Sequence, residues 1–276
     1  MGAGGKVGCR ITDLLKDDPE YDVDYVEPSE EGRERLRERG VKATPAERAL
    51  PEAEAVIMAV PDELMADIAA DVVERVDSGT LLTFLDPAAA HAGALPDRED
   101  VSYFVTHPCH PSFFTAETEL NDDNTDWFGG QGRDPQDVVC ALHQGPEADY
   151  AKGEALARDI YAPVRHAHRM TTAQMALLEP ALVESLLSTC LCVVKDGLDC
   201  VVAEGVPREA AEEFLFGHMR ISIGIIFGFT GFPYSDGAQQ AIAEAREEIF
   251  RDGWEDRLFD PENVRESVSR IAGAED

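Results

Sequence analysis

The 276 residues include 24 Lys and Arg against 55 Asp and Glu, a formal net charge of −31, while 44% are hydrophobic. That hydrophobic fraction can build a sizeable core, so the charge does not indicate a disordered chain. We find no run near the roughly 18 apolar residues that cross a bilayer and no charged-then-apolar leader, so we expect neither a membrane nor a secreted protein. At about 150 residues per domain, the length suggests one large domain or two ordinary ones.

The acidic residues are spread along the whole chain, and only five of the cations are lysines. Such a surface is typical of cytoplasmic proteins of salt-accumulating organisms, where molar salt screens self-repulsion within about 3 Å. An acidic protein that binds a basic partner is the alternative. A basic patch is missing, so we expect no nucleic-acid partner. The six cysteines show no CxxC spacing, which predicts reduced thiols and a cytoplasmic location.

Short apolar runs alternate with helical stretches through the first half, which predicts an α/β domain with a doubly wound parallel sheet. The predicted strands are 21–27, 55–60, 80–85, 101–106, 138–144 and 164–169. The predicted helices between them are 7–16, 30–39, 62–76 and 150–161. Several of these strands are apolar throughout, as expected when helices cover both faces of a sheet.

The chain opens on a glycine-rich turn that leads into the first predicted helix. Its spacing, G-x-G-x-x-x-G, is one residue longer than the standard dinucleotide fingerprint. Glycines allow tight turning and close backbone approach, so that amide groups at the helix N-terminus can receive a pyrophosphate. A flexible glycine-rich terminus is the alternative. The candidate cofactor contacts in this turn are Gly2, Gly4, Gly5, Lys6 and Val7.

Three further positions would lie against a dinucleotide. Glu27 follows about 20 residues later, where an acid holds the ribose hydroxyls and repels a 2′-phosphate, so NAD is favoured over NADP. A solvated acid at a strand end is the alternative. Val60 ends the strand 55–60 and Pro61 follows it, while Asp86 follows the strand 80–85, where it would approach the nicotinamide. A plain strand-to-helix cap at Asp62 and a turn acid at Asp86 are the alternatives there.

A dinucleotide fingerprint normally follows a strand, but only Met1 precedes Gly2. The first strand, about five residues long, is missing from its usual place at the centre of the sheet, which would leave ladder groups unpaired. We therefore expect the full-length protein to carry a short apolar β segment before Met1. A mass measurement on the natural protein would test this.

Apolar helical patterns replace the strand pattern after residue 169. Thr171 and Gln174 form a T-x-x-Q capping box at the start of a long apolar stretch that ends near residue 204. Pro180 lies inside this stretch, where it must free the carbonyl of Ala176 and bend the chain. Further helices are predicted at 208–217, 218–227 and 237–251.

Two domains follow from this change of pattern. Residues 1–168 are predicted to form a dinucleotide-binding domain, and 169–276 an all-helical substrate and dimerisation domain. This order places the ligand cleft between the domains, at the carboxyl ends of the strands. A long apolar helix exceeds what one small domain usually buries, so we expect a homodimer.

The most specific motif is THPCHP, which directly follows a predicted strand. Its prolines stiffen the turn, so His107 and His110 can aim both imidazoles at one cleft. Metal ligation, carbonyl polarisation and acid–base catalysis are all open to them. A proline-rich turn whose imidazoles bond backbone carbonyls is the structural alternative.

Glu179 lies in an apolar helix start, directly before Pro180. A carboxylate in such a place must be paired, metal-bound or protonated, unless it faces solvent on an amphipathic helix. We therefore predict His107, His110 and Glu179 as catalytic residues and as candidate ligands of a divalent metal ion.

Five segments together resemble the D-apionate oxidoisomerase family: GAGGKVGCRITD, AVPD, LDPAAAHAG, FVTHPCHP and LEPAL. The resemblance covers essentially the whole chain. It implies a Rossmann-type domain followed by a helical domain similar to the C-terminal domain of 6-phosphogluconate dehydrogenase. It also implies NAD-dependent oxidation of a branched sugar acid, coupled to an acyloin-type migration of the carboxylate group.

One departure concerns the catalytic base. The broader β-hydroxyacid dehydrogenase group carries a lysine early on its interdomain helix, and QMAL from Gln174 offers none. The base must then be His107, His110 or Glu179. Two other functions stay open: a hydroxy-acid dehydrogenase or reductase that uses NAD or NADP without rearrangement, and a non-catalytic NAD-binding protein.

Overall fold

The computed structural model describes residues 1–112, 126–129 and 134–271. The chain forms two compact units, Met1–Glu179 with Val264–Asp276, and Pro180–Asn263. The first unit thus continues past the predicted boundary at 168/169, because Met175 joins its hydrophobic core. The first unit also includes the C-terminal residues from Val264 onward, and Val268 among them is fully buried.

Five strands form one sheet in the order β1-β2-β3-β4-β5. Their bounds are β1 Ala55–Met58, β2 Leu81–Phe84, β3 Ser102–Pro108, β4 Gln136–Gln144 and β5 Val164–Arg169. Neighbouring strands run parallel except β3 and β4, which are antiparallel. The predicted parallel sheet is therefore correct for three of the four strand pairs.

Helices of the first unit connect and cover these strands. Their bounds are α1 Lys6–Leu15, α2 Glu30–Glu38, α3 Ala46–Ala49, α4 Met65–Arg75, α5 Ala88–Ala92, α6 Ala148–Ile160 and α7 Thr172–Ala176. A short 3₁₀ helix, Asp62–Leu64, precedes α4. The side chains of β2 alternate between two cores, with Leu82 among residues of α4 and Leu81 among residues of α1 and α6. Helices on both faces confirm the predicted doubly wound α/β fold.

The predicted strand 21–27 is wrong as a member of the sheet. Among the described residues it forms one isolated bridge, from Tyr25 to Ala43. Residues 1–3 lie between this segment and β1: the Met1 nitrogen donates to Ile57 O at 2.7 Å, and Ala3 N donates to Val26 O at 3.2 Å. Three residues supply too few ladder bonds to make the segment a regular strand.

The second unit is helical. A π-helical segment, Leu177–Ser188, begins in the first unit and continues into this one, followed by α8 Thr189–Ala203, α9 Arg208–Ile226, α10 Asp236–Ile249 and α11 Trp254–Phe259; α12, Pro261–Ile271, begins here and ends in the first unit. Pro180 lies in the π-helical segment, as expected because proline lacks the N–H that would bond to the carbonyl of residue 176. The two helices predicted at 208–217 and 218–227 are one helix, since Gly217 at the predicted break weakens a helix without ending it.

One long helical stretch corrects an expectation from composition. Thr172–Ala203 contains an 18-residue window of mean hydropathy 1.7, of which 11% is buried, so it is long and apolar enough to cross a membrane by length and composition. Glu179 and Pro180 interrupt the apolar residues of this stretch, so the sequence contains no unbroken apolar run of that length. Helices that pack against protein meet the same criterion, so this measure alone does not make the stretch a membrane span.

Candidate active site

The glycine-rich turn has the geometry of a phosphate cradle. Gly2 has a φ of +71°, and a Cβ there would lie 2.2 Å from Ala59 O, directly after β1. A Cβ on Gly4 would lie 2.4 Å from Gly32 O, and one on Gly8 would lie 2.1 Å from Gly2 O. These positions require glycine, and the turn leads directly into α1. The first amide groups of a helix have no partner within it and point outward, so the cradle fits a pyrophosphate.

The predicted ribose acid lies against this cradle. Glu27 is buried, and its Oε2 accepts the Gly4 N–H at 3.0 Å. Its Oε1 accepts the Ser29 N–H at 2.9 Å and the Ser29 hydroxyl at 2.6 Å. Burial alone would raise the pKa of Glu27, but the hydrogen bonds from Ser29 and Gly4 outweigh it and hold this pKa below its ordinary value. A negative charge is therefore fixed beside the turn.

The other predicted cofactor contacts surround the same turn. Gly5 is the N-cap of α1, and Lys6 and Val7 are exposed in its first turn. Val60 lies beside Gly2, since a Cβ on that glycine would be 3.2 Å from the Val60 Cγ1. Pro61 is exposed and precedes the 3₁₀ helix.

Three polar side chains lie at or just after the carboxyl ends of three neighbouring parallel strands. Asp62 follows β1, Asp86 follows β2 and His107 lies near the end of β3. The register pairs Phe84 with Val105, so Asp86 and His107 each lie two residues beyond a paired position. The carboxyl ends of parallel strands meet at one edge of a sheet, which is where α/β proteins bind ligands.

Backbone carbonyls fix the tautomers of both predicted histidines. His107 Nδ1 lies 2.9 Å from Pro108 O, and His110 Nδ1 lies 2.8 Å from Phe128 O. A carbonyl oxygen can only accept, so each Nδ1 carries the hydrogen and each neutral ring keeps Nε2 free as a proton acceptor. Both the carbonyl-bonded turn and the two available bases are therefore present, and the structural and functional interpretations are compatible.

Glu179 faces the free nitrogen of His107. Its Oε1 lies 3.9 Å from His107 Nε2, and neither side chain is more than a quarter exposed. The capping box of Thr171 and Gln174 fixes the start of α7, and α7 packs on β4 and α5 ahead of Glu179. The carboxylate can thus stabilise an imidazolium that forms at His107.

Burial shifts the pKa values of three further groups in this region, Asp62, Asp86 and His110. Burial is the main reason that the pKa values of Asp62 and Asp86 are raised; each acid also interacts with the charge of His107, which lowers them. Burial lowers the pKa of His110, against the opposing effect of its bond to Phe128. Burial thus favours the neutral form of the His110 imidazole, which is the form that can accept a proton.

The predicted ligands of a divalent metal ion are His107, His110 and Glu179. The rings of His107 and His110 are 6.0 Å apart and nearly perpendicular. Among the described residues, no group of three His, Cys, Asp or Glu side chains is close enough to hold a metal ion. A metal ion at these three residues therefore stays a prediction.

Asp62 is the acid that the sequence did not single out. Its position before a helix suggested a simple cap. The signal that identifies it is its position, because Asp62, Asp86 and His107 lie at or just after the carboxyl ends of three successive parallel strands. Phe128, whose carbonyl fixes His110, was also missed, since nothing in the local pattern marks a contact that depends on tertiary structure.

Comparison with known proteins finds relatives that match nearly the whole chain. A family model described as phosphogluconate dehydrogenase (decarboxylating) C-terminal matches residues 116–272. A Cupriavidus necator protein named D-apionate oxidoisomerase is 45% identical over 273 residues, covering 98% of this chain and 97% of the relative. A Rhizobium rhizogenes protein of the same name is 42% identical over 272 residues, covering 98% of each.

Two solved structures are also similar to this chain. A semialdehyde dehydrogenase NAD-binding protein from Cupriavidus necator, solved in complex with calcium and NAD, matches with a TM-score of 0.90 and 44% identity, over 98% of this chain and 97% of that one. An NADH-preferring ketol-acid reductoisomerase from an uncultured archaeon matches with a TM-score of 0.64 and 17% identity, over 96% of this chain and 78% of its own. The latter likeness concerns the fold alone.

Proposed function

The chain belongs to the D-apionate oxidoisomerase family, and we propose that it uses NAD to oxidise a branched sugar acid and then rearranges the carbon skeleton of the product. The family and the enzyme class predicted from the sequence are confirmed by relatives that match nearly the whole chain. The substrate, the rearrangement and the residue roles below are proposals for this chain.

One observation carries the proposal. A base with a fixed tautomer, His107, lies at the carboxyl edge of the sheet with its free Nε2 toward Glu179, and the glycine cradle lies at the end of β1 on the same sheet. A dehydrogenase needs such a base on the substrate hydroxyl, close to a dinucleotide.

The oxidation uses His107 as the base. When bound in the cradle, NAD supplies the hydride acceptor. His107 Nε2 removes the proton of the substrate hydroxyl while the C–H electron pair leaves as hydride, so the carbon becomes a carbonyl. Glu179 then stabilises the imidazolium, and a positioned base of this kind contributes about 10²–10⁴-fold in rate.

The rearrangement needs both an acid and a base. A carbon substituent leaves a hydroxyl-bearing carbon with its bonding pair and joins the adjacent carbonyl carbon, so no oxidant is consumed. The migrating group leaves a new carbonyl behind when the hydroxyl proton is lost, and the old carbonyl oxygen gains a proton. His110 Nε2 is available to take the first proton, and protonated His107 to give the second.

The cradle also accounts for the choice of cofactor. The charge fixed at Glu27 can accept ribose hydroxyls and opposes a 2′-phosphate. A solved relative holds NAD, which supports the same choice here. We expect Glu27→Gln to narrow the preference for NAD over NADP about 10-fold, as measured by the ratio of kcat/KM values.

Product analysis tests the proposed reaction. The protein is incubated with NAD and a panel of branched and linear sugar acids in molar KCl, with and without chelator, and NADH absorbance is followed. The products are then examined by NMR. A migrated carbon skeleton is the expected result, whereas a plain keto acid would indicate a dehydrogenase without rearrangement. Absence of NADH formation throughout would favour a non-catalytic NAD-binding protein.

The second unit suggests self-association. Large apolar side chains are exposed along its helices, with Phe214, Phe227 and Ile226 each between 66% and 69% exposed. Exposed patches of this kind mark association surfaces, so we propose that two copies pair through them as a homodimer.

The surface charge suggests the setting in which the protein works. A net charge of −31 with only five lysines suits a cytoplasm rich in salt, and we propose this as its location. Activity that rises from low salt to molar KCl would support this setting.

A further inference from the structure

A short segment, residues 126–129, lies between the cofactor helix and His110. From the side of α1, Arg10 donates to Asp126 Oδ1 at 3.2 Å and to the Gly129 carbonyl. The ammonium of Lys6 lies 4.2 Å from the centre of the Phe128 ring. The Arg10 guanidinium carbon also lies 5.2 Å from the centre of the Phe128 ring. Two side chains of one helix therefore make four contacts with this segment.

The other side of this segment contacts His110. The Phe128 carbonyl accepts the His110 Nδ1–H at 2.8 Å, and the two rings pack edge to face with centres 6.0 Å apart. His110 also has a φ of +58°, which a non-glycine residue adopts when its surroundings hold it there. Phe128 therefore contacts Lys6 with its ring and His110 with its carbonyl and ring.

We propose that the 126–129 segment is a positioning element that links dinucleotide binding at the glycine turn to the placement of the His110 imidazole, with Phe128 as its central residue. The inference rests on the proposed use of NAD, and it adds a residue that acts through His110. Phe128 itself has no part in proton transfer.

The chemistry of Lys6 gives the link its direction. A cation over an aromatic ring at an exposed site is held more weakly than an ammonium that donates a hydrogen bond to an anionic oxygen. A pyrophosphate at the start of α1 therefore competes for Lys6, and when the dinucleotide binds the Phe128 ring keeps only the Arg10 guanidinium, whose carbon lies 5.2 Å from the ring centre. The ring and the attached His110 then adjust together.

Trp127 makes this adjustment observable. It is 59% exposed and adjoins Phe128, and the chain has two tryptophans. The other, Trp254, lies in the second unit. In a Trp254→Phe protein the tryptophan fluorescence reports on Trp127 alone. NAD is titrated into this protein while calorimetry measures binding independently. We expect the emission of Trp127 to change with the same midpoint as the heat.

Matched variants in this background separate the link from simple folding. Lys6→Met is expected to abolish the Trp127 change even when NAD is saturating, whereas Lys16→Met, at the other end of α1, keeps it. Phe128→Leu is expected to lower kcat about 10-fold at saturating NAD and substrate, because a misplaced catalytic group loses rate without losing binding. Phe128→Tyr retains the ring and is expected to restore kcat.

The outcomes are distinct. NAD binding with an unchanged Trp127 signal, or equal kcat for Phe128→Leu and wild type, overturns the proposed link and leaves the proposed function standing. No heat of NAD binding overturns both. A fall in kcat that Phe128→Tyr does not restore, with loss of thermal stability, means that residue 128 is only structural and also overturns the link.

Discussion

The two units of the chain differ in where their apolar side chains lie. In the first, Leu82, Phe104 and Val105 are completely buried, and helices cover both faces of the sheet. In the second, Pro180–Asn263, large apolar residues lie mainly on the surface. The apolar residues it buries are mostly small: Pro180, Ala181, Leu198 and Ala211.

This difference shows what hydrophobic periodicity reports. An apolar stripe predicts that a helix face is covered, and it does not tell whether the same chain or another molecule covers it. In the first unit, residues of the same unit cover these apolar faces. The second keeps exposed apolar area well beyond scattered single residues, which single protein chains rarely do. We therefore propose that chemistry and association belong to different units, so that each can be disturbed separately.

The largest expected effect is on catalysis in the first unit. Replacing His107 or His110 with Asn, or Glu179 with Gln, should each lower kcat by about 100-fold or more while NAD binding measured by calorimetry is retained. His218→Asn in the second unit is the matched control, since that imidazole bonds only the Phe214 carbonyl within its own helix. Wild-type rates in all three variants would contradict the proposed site.

A charge on the exposed apolar surface should act on assembly. Phe216 is 60% exposed on α9, and Phe216→Glu is expected to weaken self-association by about 100-fold, because it buries a carboxylate in an apolar contact. Sedimentation in molar KCl measures the mass, and Glu213→Gln on the same helix is the control. A wild-type protein that is monomeric at every concentration would show that the surface has no such role.

Truncations of equal size should cost unequal stability in the two units. Leu82→Ala removes a fully buried side chain and should lower the free energy of unfolding by about 3 kcal/mol. Leu187 is 49% exposed, so Leu187→Ala should cost about 0.5 kcal/mol when the protein is dilute. Denaturant titration measures both. Equal costs that do not vary with protein concentration would erase the distinction between the units.

The smallest expected effect is a dependence of stability on pH in the first unit. Burial, and then the charges of Arg265 and His143, lower the pKa of His91; burial also lowers the pKa of His143. Unfolded histidine titrates near about 6.5, so below that pH the unfolded chain binds more protons and stability falls. Stability from these rings is complete above it. His91→Gln should therefore lose less in thermal midpoint than wild type on acidification, and equal losses in the two proteins would contradict this.

Much of the fold could be predicted from the sequence because its buried residues follow local hydrophobic patterns. The structure has all five sheet strands where apolar runs predicted them, and the α7 capping box is formed as predicted. The direction of β4 was not predictable, since an apolar strand has the same pattern in a parallel or an antiparallel pair. The segment 21–27 shows a second limit, because propensity cannot make a strand without neighbours to complete its ladder.

The candidate site divides in the same way. His107, Glu179 and the glycine turn were predictable because unusual residue types follow strands or interrupt apolar helices. Asp62 looked like an ordinary cap. Phe128 was invisible because what it contributes is a carbonyl and a ring face, and their value depends on residues 18 and 122 positions away.

The orientation of the two imidazoles has a consequence for how this chemistry tolerates change. Main-chain oxygens at positions 108 and 128 choose which ring nitrogen is basic, so exchanging the side chains there leaves that choice intact. The path of the backbone therefore determines which nitrogen of each imidazole can accept a proton in the reaction. Nitrogen-15 spectra of the ligand-free protein should accordingly show both neutral imidazoles with the hydrogen on Nδ1, before any substrate is added.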